Sequence, residues 1–304
     1  MGRKRKGNKV DGWLVVDKGL GMSSAKIVGA VKRIYNAQKV GHGGTLDPLA
    51  SGILPIGLGE ATKTMPYIVD ASKEYAFTVE WGASTDSDDK EGAIVNEGGR
   101  LPFEDEVHAV LATFTGTIQQ VPPAYSAIKV DGQRAYKLAR DGETVELKPR
   151  SVEIQSLSLI SHADDNSSSS FEVTCGKGTY VRSLGRDIAL ALGTYGHIIA
   201  LRRLRVGPFD LEGAISLEKL EQLSHSARAV EALLPLTTAL DDIPAVAVTE
   251  TEAQDIKYGR GIILQTAKQG TIVLMAGDVP LALAEAEDQG DGTATVRPLR
   301  VFNM

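Results

Sequence analysis

A single cysteine, Cys175, occurs in 304 residues. That excludes an intrachain disulfide framework and any multi-cysteine metal centre. No apolar run approaches the roughly 18 residues that a membrane-spanning helix needs. The opening MGRKRKGNKVDGW carries basic residues with no apolar stretch behind them, so it does not read as a secretory signal. The expected location is the cytoplasm. The five histidines (His42, His108, His162, His197 and His225) show no metal-ligand spacing. Phosphate-loop, HExxH and GxSxG patterns are absent. GLGEAT, residues 57–62, lacks the third glycine and the helix pattern of a dinucleotide fingerprint. Chemistry must then rest on Asp, Tyr, Arg and backbone groups, with no metal and no cofactor expected.

What is present is an ordinary globular composition, 42% hydrophobic and 24% charged, with a formal net charge of −6. The length allows one large or two modest domains. Basic residues gather in three places on this acidic chain. They are the tail at 1–10, the segment 121–150, and 176–206 with Lys177, Arg182, Arg186, Arg202, Arg203 and Arg205. Scattered solvated charge is the plain reading; one polyanion-facing surface is the other.

The coarse pattern mixes strands and helices without a repeating βαβ rhythm. DGWLVVDK (11–18) and KEYAFTVEWG (73–82) read as strands, the second alternating Tyr75, Phe77, Val79 and Trp81 against polar neighbours. Ser23 or Ser24 opens a helix carrying Ile27, Val31 and Ile34. STDSDDKEG (84–92) reads as a polar acidic loop and SHADDNSSSS as a flexible hairpin loop. Val107, Val110, Leu111 and Phe114 fit one amphipathic helix, and Leu184, Ile188 and Leu192 another that Gly193 ends. The expected class is α+β with a largely antiparallel central sheet and flanking helices. DDIPA (241–245) reads as a linker to a small β-rich domain at 245–304, which starts with a Thr249–Glu252 capping box.

GHGGTLDPLASG, residues 41–52, places one carboxylate, Asp47, among four glycines and directly before Pro48. A residue before proline is biased toward extended or turn conformations. Glycines let another backbone approach closely. An isolated Asp-Pro is most often a plain turn, and only the company it keeps can say more.

That company resembles a known family. DGWLVVDKGLGMSS, GHGGTLDPLASGILPIGLGEATK, KEYAFTVEWG, PPAYSAIKVDGQRAYKLARDG and GKGTYVRSLGRDI occur in the order of the hallmark segments of the TruB family, bacterial tRNA pseudouridine synthases acting on the T-loop uridine. The family usually has Pro where Gly19 stands and Thr where Gly43 stands. The resemblance implies a pseudouridine synthase fold with a catalytic domain at 11–240, an RNA-gripping insertion at about 121–150 and a PUA-like RNA-binding domain at 245–304. It implies Asp47 as the nucleophile, an aspartate with an ordinary pKa near ~3.9 and so ionised at neutral pH. It implies Arg182 as the partner that grips Asp47 by two parallel hydrogen bonds, and Tyr75 as the ring stacked on the target base. Tyr180 would contact the uracil, Leu201 would form the apolar wall opposite the ring, and His42 would enter the T-loop. The implied partner is the tRNA T-arm and the expected state a monomer, with no membrane partner. Attack at ribose C1′, attack at pyrimidine C6 and a glycal route all remain compatible with this residue set. Two rival classes stay in view: a non-catalytic RNA-binding or RNA-chaperone module, and an aspartate-dependent glycosidase-like hydrolase, which would want a second carboxylate.

Overall fold

The structure is a computed structural model that describes residues 6–126, 128–130, 132–140, 147–224, 228–265 and 268–304. His225 and the basic residues Arg3, Lys4 and Arg5 of the expected tail lie outside the described residues, as do parts of the expected insertion.

A nine-stranded sheet forms the body. Its path runs Ile215–Ser216, Gly12–Lys18, Ala50–Leu58, Gly196–Val206, Lys73–Trp81, Ser168–Cys175, Arg150–His162, Gly116–Gln120, with Val40–His42 beside Ala50–Leu58. Pairing is antiparallel except where Gly12–Lys18 meets Ile215–Ser216 and where Gly196–Val206 meets Ala50–Leu58. Register matters most at the centre: Leu201 stands opposite Phe77 and Ala50, and Arg203 stands opposite Tyr75. One face buries Phe77, Val79, Trp81, Phe171 and Val173 in a core shared with Ile27 and Val31 of the helix Ser24–Ile34 and with Leu184 and Ile188 of the helix Val181–Ala191. Ser23 caps the first of these, its hydroxyl accepting from the Lys26 amide at 3.3 Å. Ile27, Ala30 and Val31 are its buried stripe.

Two expectations fail locally. The serines at 168–170 are not a loop. They belong to the strand Ser168–Cys175, where Ser169 accepts from the Trp81 indole at 3.0 Å and Ser170 bonds Thr78 at 2.9 Å. The hydroxyls of Ser169 and Ser170 are tolerated there because both find a cross-strand partner. The helix expected through Phe114 is α only over Glu104–Val110. It tightens to a 3-10 turn at Leu111–Phe114, where the Thr113 hydroxyl bonds back to the Val110 carbonyl at 2.7 Å.

Beyond 241–245 a five-stranded sheet holds Ala245–Ala247, Gly270–Ala276, Val279–Asp288, Thr293–Val301 and Ile262–Gln265 in that order. It has its own core of Ile256, Ile272, Leu274, Ala284 and Val296. Its other side is not free. Val273, Leu283 and Phe302 join Trp13, Ile68, Phe209, Leu236 and Leu240 of the body in one cluster. Lys63 donates to the Val301 carbonyl, the Asn303 amide to Glu60 and Lys9 to the Asn303 carbonyl, each at 2.7 Å. The C-terminal unit therefore completes a core of the body rather than hanging from it.

Phe302→Ala should lower the unfolding free energy by about 3–5 kcal/mol, read by urea unfolding. A loss under ~1 kcal/mol would show that the two units do not share that core.

Candidate active site

Asp47 sits in the turn between Val40–His42 and Ala50–Leu58, with the Ala50 amide donating to the Asp47 carbonyl at 3.1 Å. Three neighbours pin this turn. Ser24 donates to the Leu46 carbonyl and accepts from the Leu46 amide, both at 2.8 Å. Lys18, with 0% exposure, donates to Gly19 and Met22 carbonyls at 2.9 Å and to Pro48 at 3.3 Å. Burial lowers its pKa, partly offset by the Asp47 charge. Arg203, 1% exposed, reaches the Ile53 carbonyl at 2.7 Å, Gly44 at 3.2 Å and Thr45 at 3.3 Å. Gly52 lies in the left-handed region (φ 102), and a Cβ there would collide with the Arg203 carbonyl. A Cβ at Gly43 would press on Ile68, so the Thr usual in the family would need Ile68 to shift.

The Arg182 guanidinium meets this turn from the helix Val181–Ala191. Its Nη2 lies 3.0 Å from Asp47 Oδ2 and donates to the Tyr125 carbonyl at 2.9 Å. Its Nη1 donates to the Ser87 carbonyl at 2.8 Å and to Asp89 Oδ2 at 3.3 Å. The expected grip by two parallel bonds is therefore not what the structure shows. The fork is divided, because Asp89 and two carbonyls take the other donor positions. Arg182 and Asp89 are 6% and 4% exposed at their side chains, whereas Asp47 is 37% exposed. One carboxylate is locked beneath the arginine, and one faces the open side.

The polar acidic stretch 84–92 is largely buried. Ser84, Thr85, Ser87, Asp88 and Asp89 are buried. Asp89 is further held by the Ser87 hydroxyl at 2.6 Å and the Glu91 amide at 3.0 Å. A buried carboxylate survives only with such partners.

Around the pair stand two tyrosines. Tyr75 is half-buried, and burial raises its hydroxyl pKa, opposed by the Arg203 charge. Tyr180 precedes the arginine helix, and its amide donates to Gln120 Oε1 at 2.8 Å. Burial raises its hydroxyl pKa too, opposed by Ser126. Both hydroxyls feel the Asp47 charge, which groups them with it. Leu201 is 8% exposed and packs with the core beside Phe77. His42 is half-buried. Burial, then Arg203, push its imidazole below the usual range, and its Nδ1 has no partner among the described residues. Asp47 and Arg182 are thus in contact, Tyr75 stands opposite Arg203 in the sheet, Tyr180 caps the helix that carries Arg182, and Leu201 belongs to the core. Among the described residues no group of three His, Cys, Asp or Glu could hold a metal ion.

The profile of TruB family pseudouridylate synthases (N-terminal domain) matches residues 32–181, and that of the tRNA pseudouridylate synthase B C-terminal domain matches 182–241. The chain belongs to the TruB family. It is 49% identical over 310 residues to tRNA pseudouridine synthase B of Rhodopseudomonas palustris, covering 99% of this chain and 83% of that protein. It is 48% identical to the Caulobacter sp. K31 protein of the same name, covering 100% of both. A solved structure of an H/ACA RNP bound to a substrate RNA containing 2'-deoxyuridine is similar at 25% identity and TM-score 0.75, covering 99% of this chain and 91% of that one. The mixed, mostly antiparallel sheet with flanking helices is thus the pseudouridine synthase architecture, with a β-rich C-terminal unit.

Sequence reasoning missed Lys18, Asp89 and Arg203. It also read 176–206 as free positive charge. Lys177 pairs with Asp70, Arg186 with Asp88, Arg202 with Asp17 and Arg205 with Glu74. The one available signal was phase. Arg203 follows Leu201 by two residues in a strand, on the side that faces the core.

Burial ranks the two carboxylates that meet Arg182. Asp89→Asn should cost about 3–5 kcal/mol of stability, as expected when one partner of a buried pair is removed. Asp47→Asn should cost about 0–1 kcal/mol, as expected for an exposed one. Denaturant unfolding of both variants checks this, and the reverse ranking would overturn the assignment of Asp89 as the structural partner.

Proposed function

We propose that this chain isomerises the T-loop uridine of tRNA to pseudouridine, with Asp47 as the nucleophilic carboxylate. The observation that carries the reading is a part-exposed aspartate held 3.0 Å from a buried arginine. The reaction breaks the N1–C1′ bond, turns the base, joins C5 to C1′ and moves the C5 proton away while N1 gains one. Mass and oxidation state do not change, and Asp47 is regenerated. Arg182 keeps the carboxylate paired and aimed once RNA excludes water. Tyr75 stacks on the extruded base, Tyr180 contacts its edge, Leu201 closes the apolar side and His42 takes up stacking in the T-loop. Flipping costs a few kcal/mol and aromatic stacking returns roughly 1–3 kcal/mol per base.

In this reading residues 11–240 are the catalytic unit, 121–150 close on the T-arm, 245–304 form a PUA-like RNA-binding unit, and the enzyme works as a monomer. The basic tail at 1–10 adds phosphate contacts. A pure binding module has no use for a divided arginine between two aspartates. A hydrolase would need its second carboxylate free to deliver a proton, and Asp89 is instead tied to Arg182, Ser87 and the Glu91 amide.

Incubation with unmodified tRNA transcript should leave the RNA mass unchanged while making one T-loop uridine resistant to glycosidic cleavage. Asp47→Asn should yield no product and still bind the transcript. Turnover by purified Asp47→Asn, or release of free uracil by the wild type, would refute the proposal.

A further inference from the structure

Arg186 lies one helical turn after Arg182 on the helix Val181–Ala191. Its contacts repeat those of Arg182 in kind. Arg182 binds Asp89 and the Tyr125 carbonyl. Arg186 Nη1 binds Asp88 Oδ2 at 2.8 Å, and its Nη2 binds the Val121 carbonyl at 2.9 Å. Each arginine thus ties one carboxylate of the 84–92 loop to one carbonyl at the root of the 121–150 segment. Ser183, between them, adds a bond from its hydroxyl to the same Val121 carbonyl at 2.8 Å. Asp187 holds the second guanidinium from the side, accepting from Nε at 2.9 Å.

The arrangement is partly buried, with Arg186 22% and Asp88 10% exposed at their side chains. Asp88 also sits in the left-handed region (φ 60). A non-glycine residue persists there only where its surroundings hold it. Asp88 is held at both ends: its carboxylate by Arg186, and its carbonyl by the Ile198 amide at 3.1 Å. Its neighbour Asp89 is the carboxylate that occupies Arg182 Nη1. Any drift at Asp88 therefore passes directly to the guanidinium that faces Asp47. None of the bonds of Arg186 described here reaches Asp47, Tyr75 or Tyr180.

We infer that Arg186 is a positioning residue for the isomerisation, clamping Asp88 and the Val121 carbonyl so that Arg182 keeps its Nη2 edge turned to Asp47. This rests on the function proposed above. It assigns a kinetic role to a side chain that touches no substrate.

The experiment uses the full chain, unmodified tRNA transcript and single-turnover conditions at saturating enzyme. Wild-type activity in that assay tests the parent reading separately. Arg186→Gln should slow the chemical step about tenfold or more, as expected for a misplacement well under an ångström, while the dissociation constant for tRNA stays within about threefold. Arg186→Lys should recover part of the rate, because an ammonium can pair with Asp88 but cannot fork to Val121 at the same time. Asp88→Asn covers the case in which Arg186→Gln fails to fold.

The pH profile gives a readout that a merely structural role would not move. Burial pushes Asp88 up to about 6, with Arg186 and Arg182 pulling it down and Asp187 pushing it up. Ser87 and Asp89 flank it along the chain, and its partner Arg186 is shared with the Val121 carbonyl and Asp187. Its ionised form is the one that pairs with Arg186, so the wild-type rate should fall as the pH drops through about 6. Asp88→Asn has no such proton to gain and should lose that step. His42 is present in both proteins and cannot produce the difference. A wild-type rate in folded Arg186→Gln, or an unchanged acid limb in Asp88→Asn, would overturn the inference.

Discussion

The Arg182 guanidinium is the group on which the site depends. A charge that is 6% exposed must be paid back in full by partners, and here they come from three stretches of chain: Asp47, Ser87 with Asp89, and Tyr125. Asp89 supplies a buried counter-charge and the two carbonyls saturate further donors. What is left is one edge of one nitrogen, and Asp47 meets it. A carboxylate meant to attack a substrate should be held but not covered, and a divided fork achieves that better than a symmetrical one. The Asp47–Arg182 pair is thus the exposed corner of a mostly buried network.

The turn that carries Asp47 depends on the same logic. Its own backbone bonds include Ala50 to Asp47 and Gly43 to Pro55, and side chains from other elements supply further ones. Ser24 takes both backbone groups of Leu46, Lys18 collects three carbonyls around Pro48, and Arg203 braces Gly44 and Thr45. Two of the three are cations buried against carbonyl oxygens. That places positive charge behind the turn and leaves its open side to the carboxylate. Because Arg203 also stands opposite Tyr75 in the sheet, the brace links the turn to the strand that carries the ring expected to hold the base.

How much of this could be read from sequence follows from separation along the chain. The strand alternation of Tyr75, Phe77, Val79 and Trp81 and the stripe of Ile27 and Val31 are local patterns, and both appear as expected. Asp47, Tyr75, Tyr180 and Arg182 were legible through motif order, not through physics. Asp89 and Arg203 were not legible, because their partners lie 93 and 159 residues away, and isolated acidic or basic residues look solvated. The serine run misled for the opposite reason. Its composition suggests a loop, while the indole of Trp81 and the hydroxyl of Thr78 make it a strand.

The central claim is that Arg182 acts by charge and shape together, not as a phosphate contact. Arg182→Lys separates these, because an ammonium keeps the charge but cannot serve Asp89, Ser87, Tyr125 and Asp47 at once. The direct measurement is the single-turnover rate of pseudouridine formation by folded Arg182→Lys, set beside its tRNA dissociation constant. The account predicts a rate lowered about a hundredfold with binding changed by less than about threefold. A wild-type rate combined with weakened binding would contradict it.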